Sequence, residues 1–208
     1  MTTACIIGAG TFDFAYFSSI FEPDWRIIAA DGGANHLKDT PFIPEKIIGD
    51  LDSLQDRAYW EGHTTVLEQT AQDSTDVEKC LNSTQADQYL LFGCVGNRFD
   101  HTLEVLHILH RYSDTRMIFF VGNDMIFRLP KETTLSLPVG SRISLYPLQA
   151  TQATSQGLKY PLDHLTLEQG GIIGTSNEAT APTQSIQIKK ETLACIIHRT
   201  HYPLINTA

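Results

Sequence analysis

Long hydrophobic runs are missing from this sequence of 208 residues. No apolar stretch approaches the roughly 20 residues that a membrane-spanning helix needs. The segment Met1–Gly8 also lacks the basic region and cleavage site of a secretory signal peptide, and has the pattern of a β-strand instead. We therefore expect a soluble cytoplasmic protein with no membrane partner.

Cysteine is scarce as well. The chain has four cysteines, far apart and without a C-x-x-C pair. Three of them lie inside apolar runs, where reduced thiols of a protein core are found. The four cysteines are Cys5, Cys80, Cys94 and Cys195, and the sequence predicts reduced core thiols for the three that lie in apolar runs.

Basic residues are too few to suit a nucleic-acid partner. The 15 lysines and arginines are outnumbered by 24 aspartates and glutamates, which gives a formal net charge of −9. A protein that binds DNA or RNA needs a basic face against the phosphate backbone, so no nucleic-acid partner is expected. An acidic protein that handles phosphate groups usually needs a metal ion between the like charges.

The first part of the chain alternates short apolar runs with helical patterns. Alternation of this kind predicts an α/β fold with a doubly wound, mostly parallel, Rossmann-like sheet. We place this domain at residues 1–130. The predicted strands are Ala4–Gly8, Arg26–Ala30, Lys46–Gly49, Thr65–Glu68, Tyr89–Phe92 and Met117–Val121, and the predicted helical segments are Thr11–Ile20, Ser53–Trp60, Asp76–Asn82 and His101–Tyr112.

The second part, residues 131–208, has a different pattern. Apolar and polar residues alternate with period two, and glycines and prolines separate the alternating segments. This pattern predicts an antiparallel β-sandwich that follows a boundary near residues 129–133.

Aspartates follow four successive strands of the first domain. Ligands of an open parallel sheet bind beyond the carboxyl ends of the strands, so these side chains should converge on one crevice. A capping box at Thr75 and Glu78, a turn at Asp31 and a cap at Asp100 would explain some of them without any function. Capping does not explain pairs of aspartates, because their charges repel one another unless a cation neutralises them. Oxygen ligands of this kind favour Mg²⁺, and the segments are Asp31-Gly32-Gly33, Asp50-Leu51-Asp52, Asp73-Ser74-Thr75-Asp76 and the loop that ends at Asp100.

The loop Gly93–His101 supplies groups that suit a phosphate. Its glycines allow backbone N–H groups to approach an oxyanion, and the helix behind it favours negative charge. Arg98 adds a forked donor that matches phosphate oxygens. The chain has no G-x-x-x-x-G-K-[ST] motif, so this is not a P-loop protein.

Together these segments resemble the signature blocks of the thiamine pyrophosphokinase family. The blocks are Asp31-Gly32-Gly33-Ala34, Gly49–Ser53, Gln72–Cys80 and Gly93-x-x-Gly96-x-Arg98-x-Asp100-His101. The resemblance implies transfer of a diphosphoryl group from ATP to thiamine, which yields thiamine diphosphate and AMP. It also implies an N-terminal α/β domain, a C-terminal β-sandwich and a homodimer with active sites near the interface.

The resemblance also suggests roles for individual residues. We assign Asp50, Asp52 and Asp76 to Mg²⁺, Asp73 to the metal or to the hydroxyl proton, and Arg98 to phosphate as charge develops. In the C-terminal half, the polar turn Thr175-Ser176-Asn177 resembles a family segment near the thiamine pocket. The residues expected to bind the nucleotide are Asp31, Gly32, Gly33, Gln72, Thr75, Lys79, Gly96, Asn97, Asp100 and His101.

Other functions stay open at this point. A pyrophosphokinase of the same architecture could act on another alcohol such as a hydroxymethylpterin, and a non-catalytic protein could bind the nucleotide or thiamine as a regulator. Asp50-Leu51-Asp52 also resembles the start of a haloacid-dehalogenase-type phosphatase, but no paired acidic motif follows later in the chain. Glu104, His107 and His110 recur on one helix, where a transition-metal site is the alternative to simple helix packing.

Overall fold

The chain forms two compact units in a computed structural model that describes residues 1–205. The first unit contains Met1–Ile108 and Asp114–Gly122, and the second contains Leu109–Ser113 and the residues from Asn123 onward. The change of unit at Gly122 precedes the domain boundary that the sequence predicts near residue 130, and that boundary stays a prediction. Among residues 1–205, no helix is both long and apolar enough to cross a membrane.

The first unit is built on six parallel strands in the order β6-β5-β1-β2-β3-β4. The predicted α/β fold with a mostly parallel sheet is confirmed. The strands are β1 (Thr3–Ile7), β2 (Arg26–Ala30), β3 (Lys46–Gly49), β4 (Thr65–Glu68), β5 (Gln88–Phe92) and β6 (Arg116–Val121), and the helices are α1 (Phe14–Ile20), α2 (Arg57–Glu61), α3 (Asp76–Asn82) and α4 (Phe99–Arg111), with a 3-10 helix at Asp31–His36.

The strand order reverses between β1 and β5, which marks the place where such a sheet binds its ligands. The loops that follow these two strands are joined by backbone hydrogen bonds. Gly10 N donates to Gly93 O at 2.7 Å, and Thr11 N donates to Val95 O at the same distance. A Cβ at Gly10 would lie 2.5 Å from Val95 O, so only glycine allows the two loops to come this close.

The termini of the helices follow local capping chemistry. α1 begins later than predicted because Asp13, whose side chain accepts from Tyr16 N, is its N-cap. α3 begins with the predicted capping box, in which Thr75 accepts from Glu78 N and the Glu78 carboxylate accepts from Thr75 N. This box fixes the first turn of α3, where Asp76 lies.

The second unit consists of antiparallel strands, as the period-two pattern predicts. Within this unit the strands are ordered β12-β9-β14-β7 in one set and β11-β10-β13-β8 in the other. The strands are β7 (Asp124–Arg128), β8 (Glu132–Leu135), β9 (Arg142–Pro147), β10 (Thr151–Gln156), β11 (Leu165–Leu167), β12 (Gly174–Glu178), β13 (Gln184–Ile188) and β14 (Leu193–His198), and a 3-10 helix (Arg199–His201) precedes α5 (Tyr202–Ile205).

One local prediction in this unit is wrong. Thr175, Ser176 and Asn177 do not form a turn, because they belong to strand β12, whose pairing with β9 shifts register between Gly174 and Asn177. Ser176 has a φ of 59° within this irregularity. A bulge of this kind re-aims side chains at a strand edge.

Candidate active site

Three aspartates from separate segments come together in the first unit. Asp31 follows β2, Asp50 follows β3 and Asp76 begins α3, and one carboxylate oxygen of each lies within 4.8 Å of the others. Oxygen ligands on opposite sides of Mg²⁺ are about 4.2 Å apart, since each Mg–O distance is about 2.1 Å. The three oxygens are therefore close to the spacing that one such ion requires. We call Asp31, Asp50 and Asp76 the carboxylate cluster.

Asp31 is the most buried member of the carboxylate cluster. Its Oδ2 accepts a hydrogen bond from Ser53 N at 3.1 Å, whereas its buried Oδ1 has no hydrogen-bond partner among residues 1–205. Burial raises the pKa of this carboxyl, against the opposing effect of the Ser53 N–H. A buried carboxylate oxygen without a donor suits a cation, so these residues fit the Mg²⁺ that the sequence predicts.

The backbone around the carboxylate cluster is strained. Asp31 has a φ of 44° and Leu51, between Asp50 and Asp52, has a φ of 63°. A non-glycine residue in this left-handed region costs on the order of 1–2 kcal/mol. Strain at two of the segments that carry aspartates is typical of a functional site rather than of simple turns.

Gly49 lies directly against Asp31 and Asp76 of the carboxylate cluster, and the sequence analysis did not predict it as a site residue. A Cβ at this position would lie 2.6 Å from Asp31 Cβ and 3.1 Å from Asp76 Cγ. The two aspartates approach each other over the space that the glycine leaves empty. The sequence feature that could have indicated Gly49 is a glycine at the end of a buried strand, directly before an aspartate.

Asn35 is a second residue that the sequence predictions missed. Its Nδ2 donates to Ser53 O at 2.9 Å, and its Oδ1 accepts from Gln55 N at 3.0 Å. These bonds hold the loop after β3 against the 3-10 helix that carries Asp31. The sequence places Asn35 four residues after Asp31 but does not reveal its partners.

The other predicted acidic residues lie outside the carboxylate cluster. Asp52 is exposed, and its Oδ1 accepts from Ser53 Oγ at 2.8 Å. Asp73 is also exposed, and its Oδ1 accepts from Ser74 Oγ at 3.4 Å. The structure thus groups Asp31, rather than Asp52, with Asp50 and Asp76, and a metal role for Asp52 stays a prediction.

Gln72 and Lys79 both contact the carboxylate cluster. Gln72 Nε2 donates to Asp50 Oδ2 at 3.3 Å, and Lys79 Nζ donates to Asp76 Oδ1 at 2.8 Å. The pKa of Asp50 is lowered, first by the Asp52 N–H, then by the Gln72 amide and the charge of Lys79. Nucleotide binding by Gln72, Thr75 and Lys79 stays a prediction.

The glycines after β2 have a packing reason of their own. A Cβ at Gly33 would lie 1.9 Å from Ile7 O, and a Cβ at Gly32 would lie 3.0 Å from Ser53 Cβ. These contacts press the 3-10 helix against the end of β1. Their predicted role in nucleotide binding is compatible with this packing and stays a prediction.

The loop after β5 presents an exposed ion pair. Arg98 Nη2 and Asp100 Oδ2 are 2.5 Å apart, and the side chains are 69% and 62% exposed. The Arg98 guanidinium lowers the pKa of Asp100. Exposed pairs contribute little to stability, so Arg98 can exchange this partner for a phosphate at little cost. Gly96, Asn97 and His101 lie on the same loop and helix start, partly or fully exposed.

Among residues 1–205, the carboxylate cluster is the only group of three or more histidine, cysteine or acidic side chains spaced to hold a metal ion. The alternative of a transition-metal site at Glu104, His107 and His110 therefore has no support in the described structure. All four cysteines are buried free thiols, which includes the three that were predicted to be core thiols.

Glu104 on α4 has a different environment from the histidines near it. Its Oε1 is buried without a hydrogen-bond partner in the described part of the chain, and burial raises the pKa of its carboxyl, against the opposing effect of the Thr75 hydroxyl. A carboxyl whose pKa is raised by folding stabilises the fold below its usual pKa and loses that contribution as pH rises through the raised value.

We therefore expect Glu104→Gln to be more stable than the parent protein at pH 7–8, with a melting temperature higher by about 2 °C or more. The difference should vanish near pH 4, because the parent carboxyl is then protonated. Thermal unfolding between pH 4 and 8 measures this difference, with Glu22→Gln, at an exposed position, as the matched control. Equal pH dependence in all three proteins would contradict the interpretation.

In the second unit, the side chain of Asn177 forms hydrogen bonds with the backbone of Tyr160. This buried side chain accepts from Tyr160 N at 3.1 Å and donates to Tyr160 O at 2.7 Å. Thr175 and Ser176 are exposed, and Tyr160 is 62% exposed. Asn177 thus fixes the backbone of an exposed tyrosine next to two exposed hydroxyl groups.

Comparisons with known proteins identify the family of the chain. The family model for the thiamin pyrophosphokinase catalytic domain matches residues 17–121, and the model for its vitamin B1 binding domain matches residues 127–193. Thiamine pyrophosphokinase 2 of Arabidopsis thaliana is 32% identical over 72% of this chain and 69% of its own length. Thiamin pyrophosphokinase 1 of Caenorhabditis elegans is 30% identical over 74% of this chain and 71% of its own.

Comparison with solved structures finds thiamine pyrophosphokinases as well. The crystal structure of thiamine pyrophosphokinase from Bacillus subtilis superposes with a TM-score of 0.82 at 24% identity, over 95% of this chain and 99% of that one. Thiamin pyrophosphokinase from Candida albicans superposes with a TM-score of 0.81 at 21% identity, over 94% and 89% of the two chains. Two family models, curated relatives and a shared fold lead to one conclusion: the chain belongs to the thiamin pyrophosphokinase family.

Proposed function

We propose that this protein transfers the diphosphoryl group of ATP to the hydroxyethyl oxygen of thiamine and releases AMP. The observation that carries the proposal is the carboxylate cluster, whose buried Asp31 oxygen lacks a donor, in a chain that matches both domains of the family. A protein that only bound thiamine or a nucleotide as a regulator would not need three carboxylates held at this spacing.

The carboxylate cluster and the nucleotide are both negatively charged, so binding requires a divalent cation between them, and Mg²⁺ is the cation that we propose. Asp31, Asp50 and Asp76 would hold it. When bound, the ion supplies charge neutralisation at the phosphate oxygens. The chain itself positions the groups that bind the substrates. Gln72 orients Asp50 through a hydrogen bond, and the capping box fixes the position of Asp76. Arg98, now paired with Asp100, would bind the transferred phosphate in its place.

Transfer requires that the thiamine hydroxyl lose a proton as its oxygen attacks phosphorus. We assign this proton to the Asp73 carboxylate, because Asp73 is exposed and lies outside the carboxylate cluster, which leaves it free of metal ligation. Positioning of the reacting groups accounts for most of the rate in phosphoryl transfer, so a single carboxylate acceptor suffices.

The thiamine ring is proposed to bind in the second unit, at the hydroxyl groups of Thr175 and Ser176. Small-molecule sites place a few polar groups in a largely apolar wall. Asn177 was also predicted to bind thiamine. We propose that it contributes by fixing the backbone of Tyr160, with which its Oδ1 and Nδ2 both form hydrogen bonds. A homodimer and a cytoplasmic location stay predictions from the sequence.

The nucleotide product distinguishes this reaction from its alternatives. Attack at the β-phosphorus releases AMP, whereas an ordinary kinase attacks the γ-phosphorus and releases ADP. We expect one AMP for each thiamine diphosphate when the protein is incubated with ATP, Mg²⁺ and thiamine, measured by chromatography of the spent nucleotide. A hydroxymethylpterin should give no AMP above background.

The control for this assay is the Asp50→Asn variant, which loses one carboxylate of the cluster and which we expect to keep the fold. Stoichiometric ADP would overturn the diphosphoryl transfer. AMP formation with the pterin but not with thiamine would move the protein to the alternative pyrophosphokinase.

A further inference from the structure

Lys79 is a charged residue in a place where charge is costly. Its side chain is only 4% exposed, and it lies on α3, one turn after Asp76. Transfer of an ammonium group out of water is unfavourable unless the group is paired, and an apolar side chain would fill the same space without that penalty. The interaction of Lys79 with its surroundings therefore needs a reason beyond packing.

The partner of Lys79 is a member of the carboxylate cluster. Its Nζ donates to Asp76 Oδ1 at 2.8 Å, and its charge also favours the ionised form of Asp50. The buried ammonium group is thus paired with a carboxylate whose side chain is 29% exposed. This hydrogen bond is a different contact from the nucleotide binding that the sequence suggested for Lys79.

Charge counting shows what the lysine changes. Three ionised carboxylates carry a charge of −3, and with the ammonium group of Lys79 the summed charge of these four groups is −2. That sum is equal and opposite to the charge of one divalent cation. Like charges at these distances repel strongly in a protein interior, so the lysine also relieves repulsion while no cation is bound.

We propose that Lys79 is a built-in counter-ion that positions Asp76 and limits the affinity of the carboxylate cluster for a divalent cation. This inference rests on the proposed function, in which the carboxylate cluster binds Mg²⁺. Lys79 is a positioning residue, since it acts through Asp76 and not on the substrates. Its removal has two opposite effects: the cation-free protein becomes less stable, and the cation binds more tightly.

The test measures binding of Mn²⁺ or Mg²⁺ to the nucleotide-free protein, by electron paramagnetic resonance or calorimetry, with thermal unfolding in EDTA and in saturating Mg²⁺. Lys79→Met should bind the cation about tenfold more tightly than the parent, and its loss of stability in EDTA should shrink in Mg²⁺. Lys79→Arg keeps the charge and should keep the parent affinity within about threefold.

A second comparison covers the case in which Lys79→Met does not fold. Asp76→Asn leaves a net charge of −1 in the cluster, and Asp76→Asn with Lys79→Met restores −2. The double variant should therefore bind the cation about tenfold more tightly than the single Asp76→Asn variant. It should also be the more stable of the two in EDTA, because no buried ammonium group is left unpaired.

The outcomes separate the possible failures. If the cation affinity is unchanged in both comparisons and Mg²⁺ does not alter the loss of stability, Lys79 has only a structural role in the packing of α3. Unchanged cation affinity with a raised KM for ATP would make it a phosphate ligand. Failure of the parent protein to bind either cation would overturn the proposed metal site itself, and the role of Lys79 with it.

Discussion

We expect Asp31→Asn, Asp50→Asn and Asp76→Asn each to lower kcat/KM for thiamine diphosphate formation by about 1,000-fold or more, which corresponds to about 4 kcal/mol of transition-state stabilisation. The reason is that each amide removes one anionic ligand from the carboxylate cluster, whose oxygens lie within 4.8 Å of one another. Mg²⁺ requires near-ideal octahedral geometry, so one missing carboxylate is not replaced by a distant one. Steady-state kinetics with varied Mg²⁺ measures the effect.

The matched control is Asp52→Asn, which changes a neighbouring aspartate that is exposed and outside the carboxylate cluster. Its kcat/KM should fall by no more than about tenfold, and the fall should not deepen at low Mg²⁺. A loss at Asp52 as large as that at Asp31 would show that the sequence-based choice of ligands was right and the geometric one wrong.

Thermal unfolding in EDTA at pH 7–8 gives an independent signature of the same cluster. Burial raises the pKa of Asp31, so its ionised form destabilises the cation-free protein at neutral pH, and Asp31→Asn should raise the melting temperature. Asp50→Asn should do the same by removing repulsion. Asp76→Asn should lower it, because Lys79 then lies buried without its carboxylate. A lower melting temperature for all three would support the simple turn and capping roles.

The parallel sheet could be predicted from the sequence because its strands carry a local signal. β2, β3 and β4 match the predicted bounds, and β1 and β5 differ by one residue at their ends. The polar sequence of β10 carries no such signal, since only Thr151 and Ala153 are buried in Thr151–Gln156. The partner strands supply the order that the local sequence lacks.

The site shows where sequence reasoning stops. Aspartates at strand ends could be found because a parallel sheet brings those ends to one edge. The grouping of Asp31, rather than Asp52, with Asp50 and Asp76 could not be found in this way, since it depends on the left-handed φ of 63° at Leu51 and on the direction in which each carboxylate points. The pairing of Lys79 with Asp76 likewise depends on how deeply α3 is buried, which spacing alone does not give.

Gly49→Ala should separate the carboxylate cluster without removing any of its charges. The added Cβ would lie 3.1 Å from Asp76 Cγ and only 2.6 Å from Asp31 Cβ, and the second distance is shorter than real Cβ contacts, so Asp31 or the backbone of Gly49 must move. A displacement near 1 Å at a catalytic centre costs about 100-fold in rate. We expect that loss in kcat/KM, a weaker affinity for Mn²⁺, and a destabilisation of about 1–3 kcal/mol from overpacking.

Gly62→Ala is the matched control, because a Cβ there meets only Tyr59 O at 3.4 Å and Ala58 O at 3.7 Å, on a backbone with a φ of −82°. This variant should keep its activity, and its stability should change by no more than about 1 kcal/mol. Circular dichroism and urea unfolding establish that Gly49→Ala is folded under the assay conditions. Full Mn²⁺ affinity and turnover in folded Gly49→Ala would mean that the close approach of Asp31 and Asp76 is not needed, and the third ligand would then have to be sought elsewhere, first at Asp52.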